Sequence, residues 1–228
     1  MQTTQTHTYK KIKLRYHQKI LLDLLKKKYP KKKDGNALDI GCANGIFLKK
    51  FNSYFRKFQS LGLDTSKDMV SFAKKKKIQN LVFSHKDFMK LNKKSYFDIV
   101  IASGVLAFYD NFSKPLNKML SFLKKNSYLY IFGTFNTENI DTLIKFRNNY
   151  TKSKWEKGLN SFSIKTISNF LKKKNVEYKF KKFKIPFNLK KKMNPIISYT
   201  FNSKDNDKII LNGANVRLEL YYLIIKKK

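Results

Sequence analysis

From about position 35 to 135 the chain alternates between short apolar runs and amphipathic stretches, and this rhythm defines its elements. Positions 37–40, 58–64, 80–88, 96–104 and 127–135 are compact runs rich in Ile, Leu, Val, Phe and Tyr, and each predicts a strand. "YFDIVIASG" (96–104) is almost continuously apolar, as expected when helices cover both faces of a parallel sheet. Between the strands, about 45–57, 66–76 and 113–124 place their apolar residues at helical spacing, with Ser66 as an N-cap and Pro115 in a first turn. Ahead of them, 11–28 sets Ile12, Tyr16, Ile20, Leu21 and Leu24 at helical intervals until Pro30 ends the pattern.

The later chain alternates less cleanly. Helices are expected near 137–148 and 163–174, the second capped by Ser163, with a strand at 176–187. A hairpin is expected over 196–212, turning at "NSKDND", and a last strand at 216–225. No repeat and no Pro- or Ser-rich linker divides the sequence, so one domain over 1–228 is expected. Strand-helix alternation of this kind predicts a doubly wound α/β sheet.

Composition changes that picture only in part. A hydrophobic fraction of 42% in 228 residues suffices for one large core, despite a formal charge of +35. Such charge invites phosphate binding through counterion release. Yet Arg15, Arg56, Arg147 and Arg217 are the only arginines among 50 basic residues, and arginine is the side chain suited to bidentate phosphate and base contacts. Lysines spread through nearly every segment, beside abundant Asn, Ile, Phe and Tyr, suggest AT-rich coding more than a binding stripe. Nucleic acid is therefore expected to bind only non-specifically, and Lys74–Lys77 to be a solvated helix end. No apolar run approaches the ~18 residues of a membrane span. The first residues lack an apolar signal core, and a cytoplasmic location is expected. Cys42 is the sole cysteine, so neither a disulfide nor a cysteine metal site is expected.

The candidate chemistry begins at "ALDIGCANGIFLKKF" (37–51), an apolar strand ending in an acid and followed by Gly41, Ala43 and Gly45 at alternate positions. In doubly wound sheets, ligands bind beyond the carboxyl ends of the strands, and small residues there let a ligand approach the backbone. A dinucleotide turn would need a third glycine where Phe47 and Leu48 stand. The carboxylate of Asp39 would repel a pyrophosphate but suits an ammonium group.

These residues resemble a known family. "LDIGCANG" is similar to the first motif of class I S-adenosylmethionine-dependent methyltransferases, an acid, one residue, then G-x-G-x-G, with Ala43 replacing the middle glycine. "LGLDTSKDM" resembles the second motif, "HKDF" (85–88) the third and "FDIVIASGVLAF" (97–108) the fourth, in order and at the family's separations. The resemblance implies a Rossmann-like doubly wound, mostly parallel seven-stranded sheet with an added C-terminal hairpin. It also implies S-adenosyl-L-methionine as cofactor, a cofactor half over about 30–135 and acceptor-side additions over about 136–215. Its cofactor-binding residues would be Asp39, the turn Gly41, Cys42, Ala43, Asn44 and Gly45, and Asp64 at the ribose hydroxyls with Thr65 and Met69. Asp87 and Phe88 would lie at the adenine, and Ser103 and Gly104 on the methionine side. Asp98, before strand four, reads as structural.

Methyl transfer from a sulfonium needs orientation more than covalent help, and a base assists only if a hydroxyl is the acceptor. The candidate catalytic residues are His17 on the first helix and Tyr109 and Asp110 after strand four; of the other two histidines, His7 and His85, His85 beside the third motif reads as a bystander. The N-P-P-Y-type tetrad of amino-methylating enzymes is absent from "ASGVLAFY". That favours a small-molecule acceptor, a hydroxyl or amine on a sugar, lipid precursor or secondary metabolite. An RNA methyltransferase using the lysine-rich surface and a cofactor-binding partner subunit without activity are the alternatives. Trp155, Phe162 and the 196–212 hairpin are the expected acceptor-side features.

Overall fold

The computed structural model describes residues 13–31, 33–75, 77–151, 153–194, 196–203, 208–214 and 216–228. Ile12, His7 and most of the "NSKDND" turn lie outside the described residues, as does Lys76 within the Lys74–Lys77 run. The first helix, α1 (Tyr16–Lys28), is followed by β1 (Gly35–Ile40), α2 (Ile46–Tyr54), β2 (Phe58–Asp64), α3 (Lys67–Lys74) and β3 (Leu81–His85). Then come β4 (Phe97–Ser103), α4 (Ser113–Phe122) and β5 (Leu123–Asn136). Short β6 (Lys145–Phe146), β7 (Glu156–Lys157) and β8 (Phe162–Ser163) lead to α5 (Ile164–Lys172) and β9 (Val176–Lys182). The chain ends with β10 (Tyr199–Asn202), β11 (Lys208–Leu211) and β12 (Leu220–Lys227).

The main sheet runs β3-β2-β1-β4-β5-β12-β9, with β8 pairing the end of β5. The first five strands of that path are parallel; β12 is antiparallel to both β5 and β9. Seven strands in a mostly parallel, doubly wound order meet the sequence expectation, as does the antiparallel hairpin β10–β11. Both faces are apolar because each central strand alternates its side chains between two cores. Leu38, Ile40, Val100, Ala102 and Ile131 pack with α4 and α5, while Ala37, Ile99, Ile101, Tyr130 and Phe132 pack with α1, α2 and α3.

Local chemistry sets the helix starts. Ser66 accepts the Met69 N–H at 3.3 Å and Ser163 accepts the Thr166 N–H at 2.9 Å, each satisfying an otherwise orphaned donor. Asp98 is structural as read: its carboxylate accepts the Asn36 N–H at 2.8 Å and the Lys124 ammonium at 2.9 Å.

Three expectations are corrected. No helix forms over 137–148: Asn136 accepts the Glu138 N–H and donates to the Ile140 carbonyl, which holds a turn instead. From there Thr142 pairs with Ser161, and β6 pairs with β7. Polar capping of that kind competes directly with helix hydrogen bonds. The fifth strand begins at Leu123, directly after α4, not at 127. The last strand begins at Leu220, because residues before it turn toward the hairpin, with the Leu218 N–H donating to the Ile210 carbonyl at 2.8 Å.

Gly45, at φ +70°, caps α2 where Phe83 and Ala73 close over the backbone. An added Cβ would stand 2.6 Å from Phe83 Cε1 and 3.0 Å from Ala73 Cβ. Gly45→Ala should therefore cost about 2–4 kcal/mol, from left-handed strain and overpacking together, read as a lowered urea midpoint. A midpoint within error of wild type would mean the turn relaxes freely.

Candidate active site

The pairing register gathers the site. β1 pairs with β4 so that Asp39 lies opposite Ile101, and β4 pairs with β5 so that Ser103 lies opposite Phe132. With period-two alternation, Asp39, Ser103 and Phe132 share the face covered by α1. On that helix the His17 ring stacks on Phe132, centroids 4.3 Å apart and planes within 2°. Tyr222 donates its hydroxyl to the His17 carbonyl at 2.5 Å, fixing the helix start over the strand ends.

The turn after β1 is a set of directed backbone groups. The Gly41 and Cys42 N–H groups donate to the Leu63 carbonyl at 2.8 and 3.0 Å, and the Gly45 N–H to the Cys42 carbonyl at 2.9 Å. Asn44 is buried and accepts the Ile46 N–H at 3.2 Å. Ala43 adopts φ +47°, the left-handed region, at the position where the resembling motif has glycine. Alanine is therefore small enough for the turn but strained in it. Cys42 is buried, and its burial pushes the thiol pKa up, so it is a packed neutral thiol.

Asp64 ties this turn to the end of β2. Its two oxygens accept the Ala43 N–H and the Ser66 N–H, each at 2.8 Å. One lone pair on each oxygen stays available for hydroxyl donors. Asp39 is different: it is 4% exposed, and no described residue donates a hydrogen bond to it. Burial first, and the Asp64 charge second, push its carboxyl up to about 8. Two acids held together this way favour a ligand that brings positive charge.

Asp87 accepts the Met89 N–H at 2.9 Å and opens a short turn over Phe88–Lys90. Phe88 is only 4% exposed and packs in the core, its ring edge-on to Tyr109 at 6.1 Å. Tyr109 is half-buried near Asp87; burial and then that charge push its phenol up to about 12. The Thr65 carbonyl meets the His85 ring at 3.1 Å, and Met69 is buried beneath its helix. The Gly104 N–H donates to the Phe132 carbonyl at 2.7 Å. Asp39, Asp64, the 41–45 turn, Ser103, Gly104 and His17 thus stand at neighbouring strand ends.

Asp110 turns outward. Lys157 holds it at 2.6 Å and Asn160 at 3.2 Å, which keeps its carboxyl below the usual range. Phe162 is buried against Phe112 at 5.0 Å, so it is a packing anchor and not an acceptor contact. Asn160 escaped the sequence reading. It is buried, accepts the Ile144 N–H, donates to the Tyr109 carbonyl, and so pins residues 144–160 to the loop after β4. A lone Asn in "GLNSF" carries no periodic signal by which to find it. Burial lowers the His17 pKa to about 3, with the nearby Arg15 charge a smaller cause, so its imidazole is neutral at physiological pH.

An open, mostly parallel sheet with a small-residue turn and two acids at adjacent strand ends places a candidate ligand site at the carboxyl ends of β1 and β2. A sequence profile described as a methyltransferase domain matches residues 31–201. A malonyl-[acyl-carrier protein] O-methyltransferase of Bacillus cytotoxicus is 25% identical over 142 residues, 62% of this chain and 48% of that protein. The chain therefore spans about half the length of that curated relative. An uncharacterized protein of Methanocaldococcus jannaschii is 28% identical over 205 residues, 86% of this chain and 77% of that one. A solved S-adenosylmethionine-dependent methyltransferase of Mesorhizobium loti shares the fold, with a TM-score of 0.59 at 13% identity over 90% of this chain and 96% of that one. The chain belongs to the methyltransferase-domain family, and it shares the fold of solved S-adenosylmethionine-dependent methyltransferases.

The raised carboxyl of Asp39 makes stability depend on pH. Its folded pKa exceeds the unfolded one, so no cost exists below about pH 4, where both states are protonated. As pH rises from there toward about 8, stability falls by up to about 1.4 kcal/mol per pH unit, and above 8 the cost is constant. Asp39→Asn should remove it: urea unfolding should show a stabilisation up to about 4 kcal/mol larger at pH 8 than at pH 5. An equal effect at both pH values would mean that Asp39 is ionised throughout.

Proposed function

We propose that the chain transfers a methyl group from S-adenosyl-L-methionine to a hydroxyl or amine of a small-molecule acceptor, such as a sugar, lipid precursor or secondary metabolite. The observation that carries the reading is Asp39, a buried carboxylate with no donor from the described chain, beside a second acid whose oxygens keep free lone pairs. These residues fit the cofactor. Asp39 would hold its ammonium end, Asp64 its ribose hydroxyls, and Asp87 its adenine amino group, with Phe88 and Tyr109 as the apolar wall. Ser103 and Gly104 would border its methionine side. When bound, the cofactor supplies an electrophilic methyl group on a sulfonium.

The chain's own contribution is orientation and exclusion of water, and orientation can lower a barrier by about 7–11 kcal/mol. The three candidate catalytic groups are weak bases in their settings. His17 is neutral with a pKa near 3, the Tyr109 phenol stays protonated, and Asp110 is bound to Lys157. His17 therefore suits hydrogen bonding over the donor end better than strong proton abstraction. A cytoplasmic setting suits a chain whose one cysteine is buried and free. No helix among the described residues is long and apolar enough to cross a membrane.

Calorimetry with S-adenosylhomocysteine should give a micromolar dissociation constant, about 6–8 kcal/mol. Asp64→Asn should weaken it by about 1.5–3 kcal/mol, the value of hydrogen bonds to a charged group, while Asp23→Asn, at an exposed position of α1, should not. Equal affinities for a folded Asp64→Asn protein would sink the ribose assignment. RNA should be held only through phosphates, with affinity falling steeply between about 50 and 200 mM salt. One RNA retained tightly at about 200 mM salt over unrelated competitors would make RNA the acceptor instead.

A further inference from the structure

The segments after β5 and after β9 both leave the sheet at its carboxyl edge, because β9 runs parallel to β5 and ends at Lys182, opposite Tyr221. They meet across a cleft of about 220 Å³, with Phe146, Arg147 and Asn149 on one side and Ile196, Gly213 and Ala214 on the other. The guanidinium of Arg147 lies over the ring of Trp155, 5.8 Å from its centroid, and its Nε donates to the Asn149 side chain at 3.1 Å. Two independent contacts thus orient a side chain that would otherwise swing freely. No carboxylate pairs with Arg147 among the described residues, so its remaining donors are not consumed by an ion pair. The identity of the residue carries weight as well. In a chain with 50 basic residues of which only four are arginine, lysine is the default cation, and a guanidinium marks a place where its planar fork matters. Trp155, 67% exposed, buries too little to be a core residue and acts here as the platform under that fork.

The site is mechanically joined to the donor end. Asn160 holds Ile144 against the loop carrying Tyr109, and β6 (Lys145–Phe146) leads from that point to Arg147. Arg147 follows Ile144 by three residues, so extended backbone keeps it within roughly 10 Å of that anchor. We infer that Arg147, seated on Trp155 at this cleft, binds an anionic group of the acceptor, a carboxylate or a phosphate remote from the atom that is methylated. The inference rests on the methyltransferase reading, in which the carboxyl-edge segments form the acceptor side. It adds that the acceptor is an elongated anion, and it makes Arg147 the residue that selects it.

Trp155 is the only tryptophan of the chain, so its emission reports on the guanidinium above it without labelling. The test titrates the full chain with malonate and, separately, with inorganic pyrophosphate, in about 150 mM sodium chloride so that diffuse charge effects are screened. A saturable change in Trp155 emission is expected with at least one anion, and which one responds separates a carboxylate from a phosphate. Arg147→Lys keeps the charge but loses the fork, and should weaken the response at least about tenfold. Lys154→Gln, a nearby exposed cation, should leave it unchanged. S-adenosylhomocysteine affinity should stay within about twofold in both variants. If that affinity is normal and neither anion saturates, the anion site falls while the methyltransferase reading stands. Wild-type response in Arg147→Lys, or equal loss in Lys154→Gln, would likewise overturn the assignment.

Discussion

The structure turns on one electrostatic constraint, the burial of the Asp39 carboxylate beside Asp64 at the ends of two adjacent parallel strands. A carboxyl held at about 8 by burial and a neighbouring charge costs folding free energy at neutral pH. Such a cost persists where the surrounding fold over-determines it, and a ligand bringing a positive group relieves it. The order β3-β2-β1-β4-β5 places the two acids side by side, and the 41–45 turn, strained at Ala43, holds backbone donors to Asp64. On the proposed function, binding of a cationic ligand would relieve this cost.

Around that constraint the molecule divides its work by strand polarity. The carboxyl edge holds the candidate site: the acids, Ser103 and Gly104, His17 stacked on Phe132, and the later segments that leave the sheet there. The opposite edge holds structural polar pairs such as Asp98 with Lys124 and Asn36. Asn160 joins the two halves, since its side chain contacts both the loop after β4 and the segment that carries Arg147.

The central sheet was legible in the sequence because parallel strands buried on both faces write continuous apolar runs, as "YFDIVIAS" does. Helix starts at Ser66 and Ser163 were legible for the same local reason, a hydroxyl followed by a free N–H. The failures lie where partners distant in sequence decide. The stretch 137–148 has helical residue types, yet Asn136 and the pairing of Thr142 with Ser161 draw it into a turn and a short ladder. Phe162 looked like an acceptor aromatic, but Phe112, fifty residues earlier, buries it. Asp110 follows strand four where acceptor groups often stand, and only the fold reveals Lys157 against it. The positions of the motif residues were readable because they follow the ends of strands; the region after β5 depends on contacts between loops, which leave no period.

The most direct measurement is the titration of the Asp39 carboxyl by carbon-13 NMR, in the free protein and with saturating S-adenosylhomocysteine. The account predicts a pKa near 8 in the free protein, falling by about 2 units or more when the ligand's ammonium group lies beside it. An Asp39 pKa that is unchanged or higher in the complex would contradict the claim that this buried acid is the cation-recognising element of the site.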